Sequence, residues 1–300
     1  MSGALWALAA GAGFGLFQSI NREAVRGMDV YIATFVQLVV SSIVLIVISL
    51  VTEDVKLIFN ASIVTILNFA AAGFLHFLIG WTFLNASQKK IGAARTSPLI
   101  GTTPLFAAII AAVTLHEFPT WLELIGIGII VFGVYFVSAQ TATSTIGDSS
   151  RQRFSVDLRA SWLALAAAFC WSLSPIFIRY GLQGLDSPLL GVTVGVTASA
   201  LGYAVVLLWQ RERWLGGPIT NEAWTFKLIA GVLVGLSTWM RWVALDLAPV
   251  AVVLALTMIS TPLVILLSPL ISGRHLERVT SMLWMGTSLI LSGALLLTFL

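Results

Sequence analysis

Ten stretches of about 20 mostly apolar residues follow one another along the chain, near positions 3–21, 31–51, 61–86, 92–114, 120–139, 161–180, 188–209, 224–246, 249–271 and 280–299. That length is what a helix needs to cross the hydrocarbon core of a bilayer. Transmembrane strands need only about 9–11 residues of alternating polarity, and these runs are too long and too uniform for strands. In lipid every backbone N–H and C=O must find a partner inside the protein, which a helix provides within its own segment. The chain therefore reads as an all-α polytopic membrane protein of ten transmembrane helices. Charged residues are only 10% of the chain and hydrophobic ones 58%, against about 25% charge in a soluble domain. A single cysteine, Cys170, excludes an internal disulfide. The net charge of +3 is spread over loops, with no basic run suited to nucleic acid. Ala7-Leu8-Ala9 imitates a signal-peptide cleavage site, but no basic region precedes it and Ala-Leu-Ala recurs at 164–166 inside the sixth span, so it reads as structural.

Sliding the chain along itself reveals a repeat. At an offset of 157, Leu5–Tyr31 lies over Trp162–Pro188 with eight identities in 27 positions, among them Arg22 with Arg179, Gly27 with Gly184 and Asp29 with Asp186. Apolar bias explains matched alanines and leucines; it does not explain Arg, Gly and Asp in register. Further along, Pro104 meets Pro262, while Gly126 and Gly133 meet Gly286 and Gly293. This divides the chain into a first five-helix repeat over 1–140, a linker over 141–159 and a second five-helix repeat over 160–300. Five spans is an odd number, so the second repeat enters the membrane inverted. That architecture places a binding site near the midplane between the repeats of many secondary transporters.

In this pattern the chain resembles the drug/metabolite transporter superfamily, specifically its EamA-type ten-helix members. The features that carry the resemblance are the 5+5 spans, Gly92-Ala93-Ala94-Arg95 running into Pro104, and Glu117 before a Gly-rich fifth span. In the second half, Trp242-Val243-Ala244-Leu245 leads to Pro262. The resemblance implies a central cavity lined by spans 1, 3, 4, 6, 8 and 9, with the other four more peripheral. Where the family opens the last hairpin of each half with Gly-Glu, this chain has His116-Glu117 and Gly273-Arg274-His275, so the second-half carboxylate is displaced or lost. The superfamily's small multidrug exporters, which resemble this chain only distantly, couple protons through a first-span glutamate; span 1 here has no mid-span acid, so that mechanism does not carry over.

Loop charges set the expected orientation. Odd-numbered loops hold 13 Lys and Arg, counting Lys227 with the seventh, and even-numbered loops hold 2. The positive-inside rule then puts both termini outside a cell membrane, although EamA-like relatives are usually drawn with both inside.

A charge at membrane depth marks a functional site by default. Arg241, two-thirds along span 8, suits a carboxylate or phosphate through its planar guanidinium. Asp246, five residues on, is poorly placed to pair with it along one helix. Ser237 and Thr238 share its stripe, and Trp239 adds stacking surface. In span 1, Gly11, Phe14, Gly15, Gln18 and Arg22 form a comparable stripe, with Ala168, Trp171, Ser172, Pro175 and Arg179 as its mate in span 6. Phe14, Gln18, Trp171 and Ser174 are its substrate-binding candidates, while the glycines favour helix contact and the two arginines interface anchoring. His76, mid-span 3, can carry a proton or bind substrate. Spans 4 and 9 carry matched interruptions, Thr96-Ser97-Pro98 and Thr102-Thr103-Pro104 in one, Ser260-Thr261-Pro262 and Ser268-Pro269 in the other. A mid-helix proline frees a carbonyl that needs another donor or cavity water, so Thr102, Thr257 and Thr261 join the site. Pro98, Pro104, Pro175 and Pro262 are its helix-break or hinge candidates. Asp29 and Asp186 read as helix N-caps.

The expected function is secondary active transport of a small polar metabolite, an amino acid or related zwitterion or organic anion, by alternating access and in the export direction that the resemblance implies. A sugar, nucleotide-sugar or phosphorylated substrate is the alternative, and it would need more basic groups than Arg241. A lipid-modifying enzyme lacks a visible His/Asp/Glu cluster, and a non-transporting scaffold leaves the buried arginine unexplained. The expected partners are a small-molecule substrate, the lipid bilayer and, as a candidate, a coupling proton, with no metal, cofactor or nucleic acid. The oligomeric state stays open between monomer and homodimer.

Overall fold

A computed structural model describes residues 2–91, 99–144, 158–209, 219–271 and 281–299. Its helices in chain order are α1 (Ser2–Arg26), α2 (Val30–Thr52), the short α3 (Lys56–Asn60), α4 (Ile63–Gly73), α5 (Trp81–Ile91), α6 (Thr103–Thr114), α7 (Trp121–Ser144), α8 (Leu158–Gly184), α9 (Pro188–Trp209), α10 (Asn221–Leu247), α11 (Val250–Leu256), α12 (Ser260–Ile271) and α13 (Ser281–Phe299). A π-helical segment, Phe74–Gly80, joins α4 to α5, and a 3-10 turn, Thr257–Ile259, joins α11 to α12. Among the described residues six continuous helical stretches, one of them running from α4 through the π-helical segment into α5, are long and apolar enough to cross a membrane; four more, in spans 4, 5, 9 and 10, are shorter apolar helices. The molecule is thus an all-α polytopic membrane protein.

Local chemistry sets the helix starts. The Asp29 carboxylate accepts from Tyr31 N at 2.9 Å, Ser62 Oγ from Thr65 N and Thr220 Oγ1 from Ala223 N, each satisfying an amide that the first helical turn leaves without a partner. At the start of α9 the cap is Ser187, whose Oγ accepts from Leu190 N at 3.1 Å; the sequence pointed to Asp186. The hydroxyl one residue later stands directly before Pro188, whose missing N–H is tolerated in the first turn.

Small residues decide which helices meet, because lipid tails are as apolar as leucine and only close contact distinguishes one neighbour from another. α1 lies along α10 and α12, while α8 lies along α4, α5 and α6. α2 packs on α9 and α10, and α7 packs on α13. In the last pair a Cβ on Gly133 would meet Gly286 O at 2.7 Å, and one on Gly293 would meet Gly126 O at 2.8 Å. The four glycines that repeat along the sequence therefore face one another across one crossing. Large apolar side chains such as Val51, Phe59 and Trp209 point outward, as a lipid-facing surface requires.

Three expectations change here. Span 9 breaks at Thr257–Ile259, just before Pro262, and span 4 turns at Gly101–Thr102, just before Pro104; the interruptions correspond, but each precedes its proline. Pro98 and Gly92 to Arg95 lie outside the described residues, as do Gly273 to His275 and most of the linker. α8 runs through Pro175 without ending. The carbonyl that this proline frees, Trp171 O, takes the Ser174 hydroxyl at 3.4 Å instead. Lys227, counted above with a loop, is fully buried within α10, so it no longer belongs among the odd-loop charges.

Candidate functional site

Spans 1, 3, 4, 6, 8 and 9 surround a cavity of about 70 Å³, and a single water needs about 10–15 Å³. It therefore has room for about five waters or for one small solute. α1 contributes Phe14, Phe17 and Gln18 to its wall. That helix can lie close to span 9 because Gly11 and Gly15 have no side chain: a Cβ on Gly11 would meet Ile259 at 2.6 Å, and one on Gly15 would meet Leu263 at 2.7 Å. The two glycines thus serve helix contact, while Phe14 and Gln18 face the cavity.

His76 enters from the π-helical segment, where the wider turn changes the direction of the side chains that follow. Arg241 from α10 donates through Nη2 to His76 Nε2 at 2.8 Å. A guanidinium has only donors; Nη2 lies 3.3 Å from Nδ1 as well, and the shorter contact assigns the ring's lone pair to Nε2 and the proton to Nδ1. Nδ1–H then donates to Ser174 Oγ at 3.1 Å, and the Ser174 hydroxyl donates to Trp171 O. The Trp171 ring stacks on His76 with centroids 5.3 Å apart and planes at 25°, and its Nε1–H donates to His76 O at 3.1 Å. Gly80 makes room for that indole, since a Cβ there would meet Trp171 Cδ1 at 2.8 Å. The result is a continuous relay from Arg241 through His76 and Ser174 to the carbonyl released by Pro175.

Arg241 is 6% exposed, its Cζ lies 5.4 Å from the Phe14 ring centroid, and its buried Nε has no hydrogen-bond partner in the protein. Among the described residues lining the cavity there is no Asp or Glu. The wall opposite is aromatic and aliphatic, with Trp81, Leu84, Ile100, Leu254 and Met258, while Thr103, Thr257, Ser260 and Thr261 supply hydroxyls. Thr103 Oγ1 donates to Ile100 O at 2.6 Å and Thr257 Oγ1 to Leu254 O at 2.8 Å. Each hydroxyl oxygen keeps acceptor capacity toward a ligand.

Seven of the residues singled out in the sequence line the cavity: Phe14, Gln18, His76, Trp171, Arg241, Thr257 and Thr261. Ser174 stands behind His76. Ser237 and Thr238 do not line it; their hydroxyls donate to Leu233 O and Val234 O of their own helix, and Ser237 packs against Gly13. Trp239 turns to Trp6, with ring centroids 6.2 Å apart, and Thr102 donates to Leu99 O outside the lining set. Pro104 and Pro262 sit in the first turns of α6 and α12, next to the lining hydroxyls. Sequence reasoning missed Phe17, Leu84, Ile100, Leu254 and Met258, because an apolar residue in an apolar span gives no contrast. Trp81 was not among the residues singled out either.

At the even-loop end, Arg179 does more than anchor an interface. It pairs with Glu117 at 2.9 Å and donates to Asp246 O and Ala248 O. Glu117 Oε2 also accepts from Val250 N at 2.9 Å, capping α11, and the left-handed backbone at His116 (φ 55°) turns the chain into that position. One carboxylate and one guanidinium thus tie the loop before α7, the end of α8 and the loop between α10 and α11.

A solved crystal structure, described only as that of a protein, superposes with a TM-score of 0.73 over 99% of this chain and 98% of that one, at 15% sequence identity; at that identity the likeness shows a shared fold. No curated protein matches the chain. Among the described residues no group of three or more His, Cys, Asp or Glu could hold a metal ion. The model of the EamA-like transporter family matches residues 1–139 and 158–299. A polytopic helical bundle around one cation-bearing cavity, matched to that model over nearly its full length, belongs to the EamA-like transporter family and is a membrane transporter rather than an enzyme.

Proposed function

We propose that the chain exports a small metabolite bearing a carboxylate, an amino acid or a related organic acid, and that Arg241 holds the anionic group. The observation that carries this is the buried guanidinium itself. It faces a cavity with no acidic side chain among the described lining residues, and Nε has no partner in the protein. A buried charge is costly unless paired, and a substrate carboxylate would complete the pair in the bidentate geometry arginine favours. Phe14, Trp171 and Trp81 would contact the rest of the substrate, and Gln18 with the hydroxyls of Thr257 and Thr261 would orient it. A phosphorylated or nucleotide-linked substrate is less well served, because Arg241 is the one Lys or Arg among the described lining residues.

The mechanism we infer is alternating access by two inverted five-helix units, 1–140 and 160–300, joined by 141–159. The reciprocal helix contacts support it: α1 meets α10 and α12 as α8 meets α4, α5 and α6, a pattern that exchanges the halves. The matched interruptions at Gly101–Thr102 and Thr257–Ile259 are the points where spans 4 and 9 would bend. Loop charges favour both termini outside, with 12 Lys and Arg left in the odd loops once Lys227 is removed.

A thermal-shift screen of the purified protein against amino acids, organic acids, sugars and nucleotides tests the reading. A ligand at about 100 times its dissociation constant stabilises the folded state by about 2.7 kcal/mol. Carboxylates are expected to stabilise wild type and not Arg241→Ala. Equal stabilisation of both proteins would remove Arg241 from the site, and a response to sugars or nucleotides alone would overturn the substrate class.

A further inference from the structure

A second polar cluster lies deep in the bundle, away from the cavity wall. Lys227 on α10 is 0% exposed, Gln37 on α2 is 0% exposed and Asn21 on α1 is 2% exposed. Lys227 Nζ donates to Asn21 Oδ1 at 2.5 Å and to Gln37 Oε1 at 2.6 Å. Neither partner carries a charge. Gln37 Nε2, on the same amide, is buried with no hydrogen-bond partner in the protein. A lysine buried on three membrane helices against two neutral amides is an expensive way to hold helices together, and apolar side chains of similar volume would serve that purpose better.

We propose that Lys227 is a reversible proton-binding site, and that its protonation state sets how α1 sits against α2 and α10. A neutral amine has two N–H groups and one lone pair; an ammonium has three N–H groups. The two amide oxygens match the two N–H groups of the amine. An added proton brings a third N–H, which needs a further acceptor, and the acceptor at hand is water admitted by parting the three helices. The proton enters onto the nitrogen lone pair and leaves from it to water, so no other reactant is required.

The charged and titratable groups on the elements that face the site lie at its margins. On α1, Arg22 is exposed and Glu23 half-buried, one and two residues past Asn21. On α2, Tyr31 and the capping Asp29 lie at the helix start; on α10, Glu222 is exposed in the first turn. The site is mechanically connected to the cavity. Asn21 follows Gln18 by three residues, on the same face of α1, and Gln18 lines the cavity. Lys227 precedes Arg241 by 14 residues, four turns or about 21 Å along α10, again on one face. A shift of α1 on protonation therefore moves a wall of the substrate cavity. The proton site itself stands without the transport reading; only what the proton drives rests on it.

The test is a potentiometric difference titration of the purified full chain in unbuffered detergent without any substrate, over about pH 5 to 10, where documented buried lysines titrate. Wild type is expected to exchange one proton per chain more than Lys227→Met. Gln37→Glu keeps the lysine and the side-chain length, but supplies a carboxylate that pins the ammonium; its extra step should vanish from the range too, which keeps the test valid if Lys227→Met folds poorly. Protection of the amides around Asn21, Gln37 and Lys227, taken relative to the intrinsic exchange rate at each pH, should fall as the site takes up its proton, in wild type alone. Equal proton counts in wild type and Lys227→Met overturn the site. A proton step without any change in exchange on α1, α2 and α10 overturns the coupling. Neither result touches the carboxylate screen with Arg241→Ala, so the two readings fail separately.

Discussion

Replacing His76 by leucine, alone and together with Arg241→Met, measures the relay that holds the guanidinium in place. Arg241 Nη2 and His76 Nε2 are 2.8 Å apart, and both side chains are buried. A hydrogen bond with one charged partner contributes about 1.5–3 kcal/mol net. The imidazole also stacks on Trp171, for about 0.5–1.5 kcal/mol. Leucine restores most of the volume but neither interaction, nor the bond to Ser174, itself about 0.5–1.5 kcal/mol, so His76→Leu should lower the unfolding free energy by about 2.5–6 kcal/mol. In an Arg241→Met background the charged hydrogen bond is already gone, and the same change should cost only the stack and the bond to Ser174. The cycle therefore predicts a coupling of about 1.5–3 kcal/mol between the two sites. Equilibrium unfolding in mixed micelles, followed by tryptophan fluorescence, provides the four free energies. A coupling below about 0.5 kcal/mol, as expected of independent sites, would refute the relay and leave Arg241 held by something other than His76.

Two further outcomes separate the contacts in the structure from those suggested by sequence spacing. Gly73→Ala should cost about 1–3 kcal/mol by overpacking, because its Cβ would collide with the backbone of Gly195, whereas Gly128→Ala, with nothing within 4 Å, should be neutral or stabilising by up to about 1 kcal/mol; the same unfolding assay reads both, and equal losses would mean that α4 and α9 do not cross there. Trp239→Phe should leave carboxylate binding unchanged, since that ring faces Trp6, while Trp81→Leu should weaken it about tenfold, or about 1.4 kcal/mol; isothermal titration with the best carboxylate from the screen decides, and the reverse ranking would move the cavity to the other side of α10.

Much of the site was legible because a few residues contradict their surroundings. Arg241 stands out in an apolar span at any reading, and so do Gln18, His76 and the threonines beside Pro104 and Pro262. Phe14 and Trp171 came from repeat register and helical spacing together. Where spacing misled, the cause was local: in Ser237 and Thr238 a hydroxyl on a helix can satisfy itself on the carbonyl four residues back, and both do. Lys227 was hidden for a different reason. Six residues into α10, it reads equally well as a lysine reaching for the interface, and only the arrival of Asn21 and Gln37 from two other helices makes a buried position tenable.

Run length and polarity by themselves determined that this chain is a helical membrane protein, about where its spans lie, and which spans break near paired prolines. These are consequences of backbone hydrogen bonding in lipid, which acts on each segment alone. Which helices touch was decided by tertiary structure, because an apolar face turned to lipid and one turned to protein look alike in sequence. Contacts such as Arg241 with His76, Arg179 with Glu117 and Lys227 with Gln37 join residues far apart in the chain. Close approaches at glycines, such as Gly73 on Gly195 and Gly231 on Val40 beside Gln37, select which backbones come together, and that selection by shape leaves no periodic mark to read.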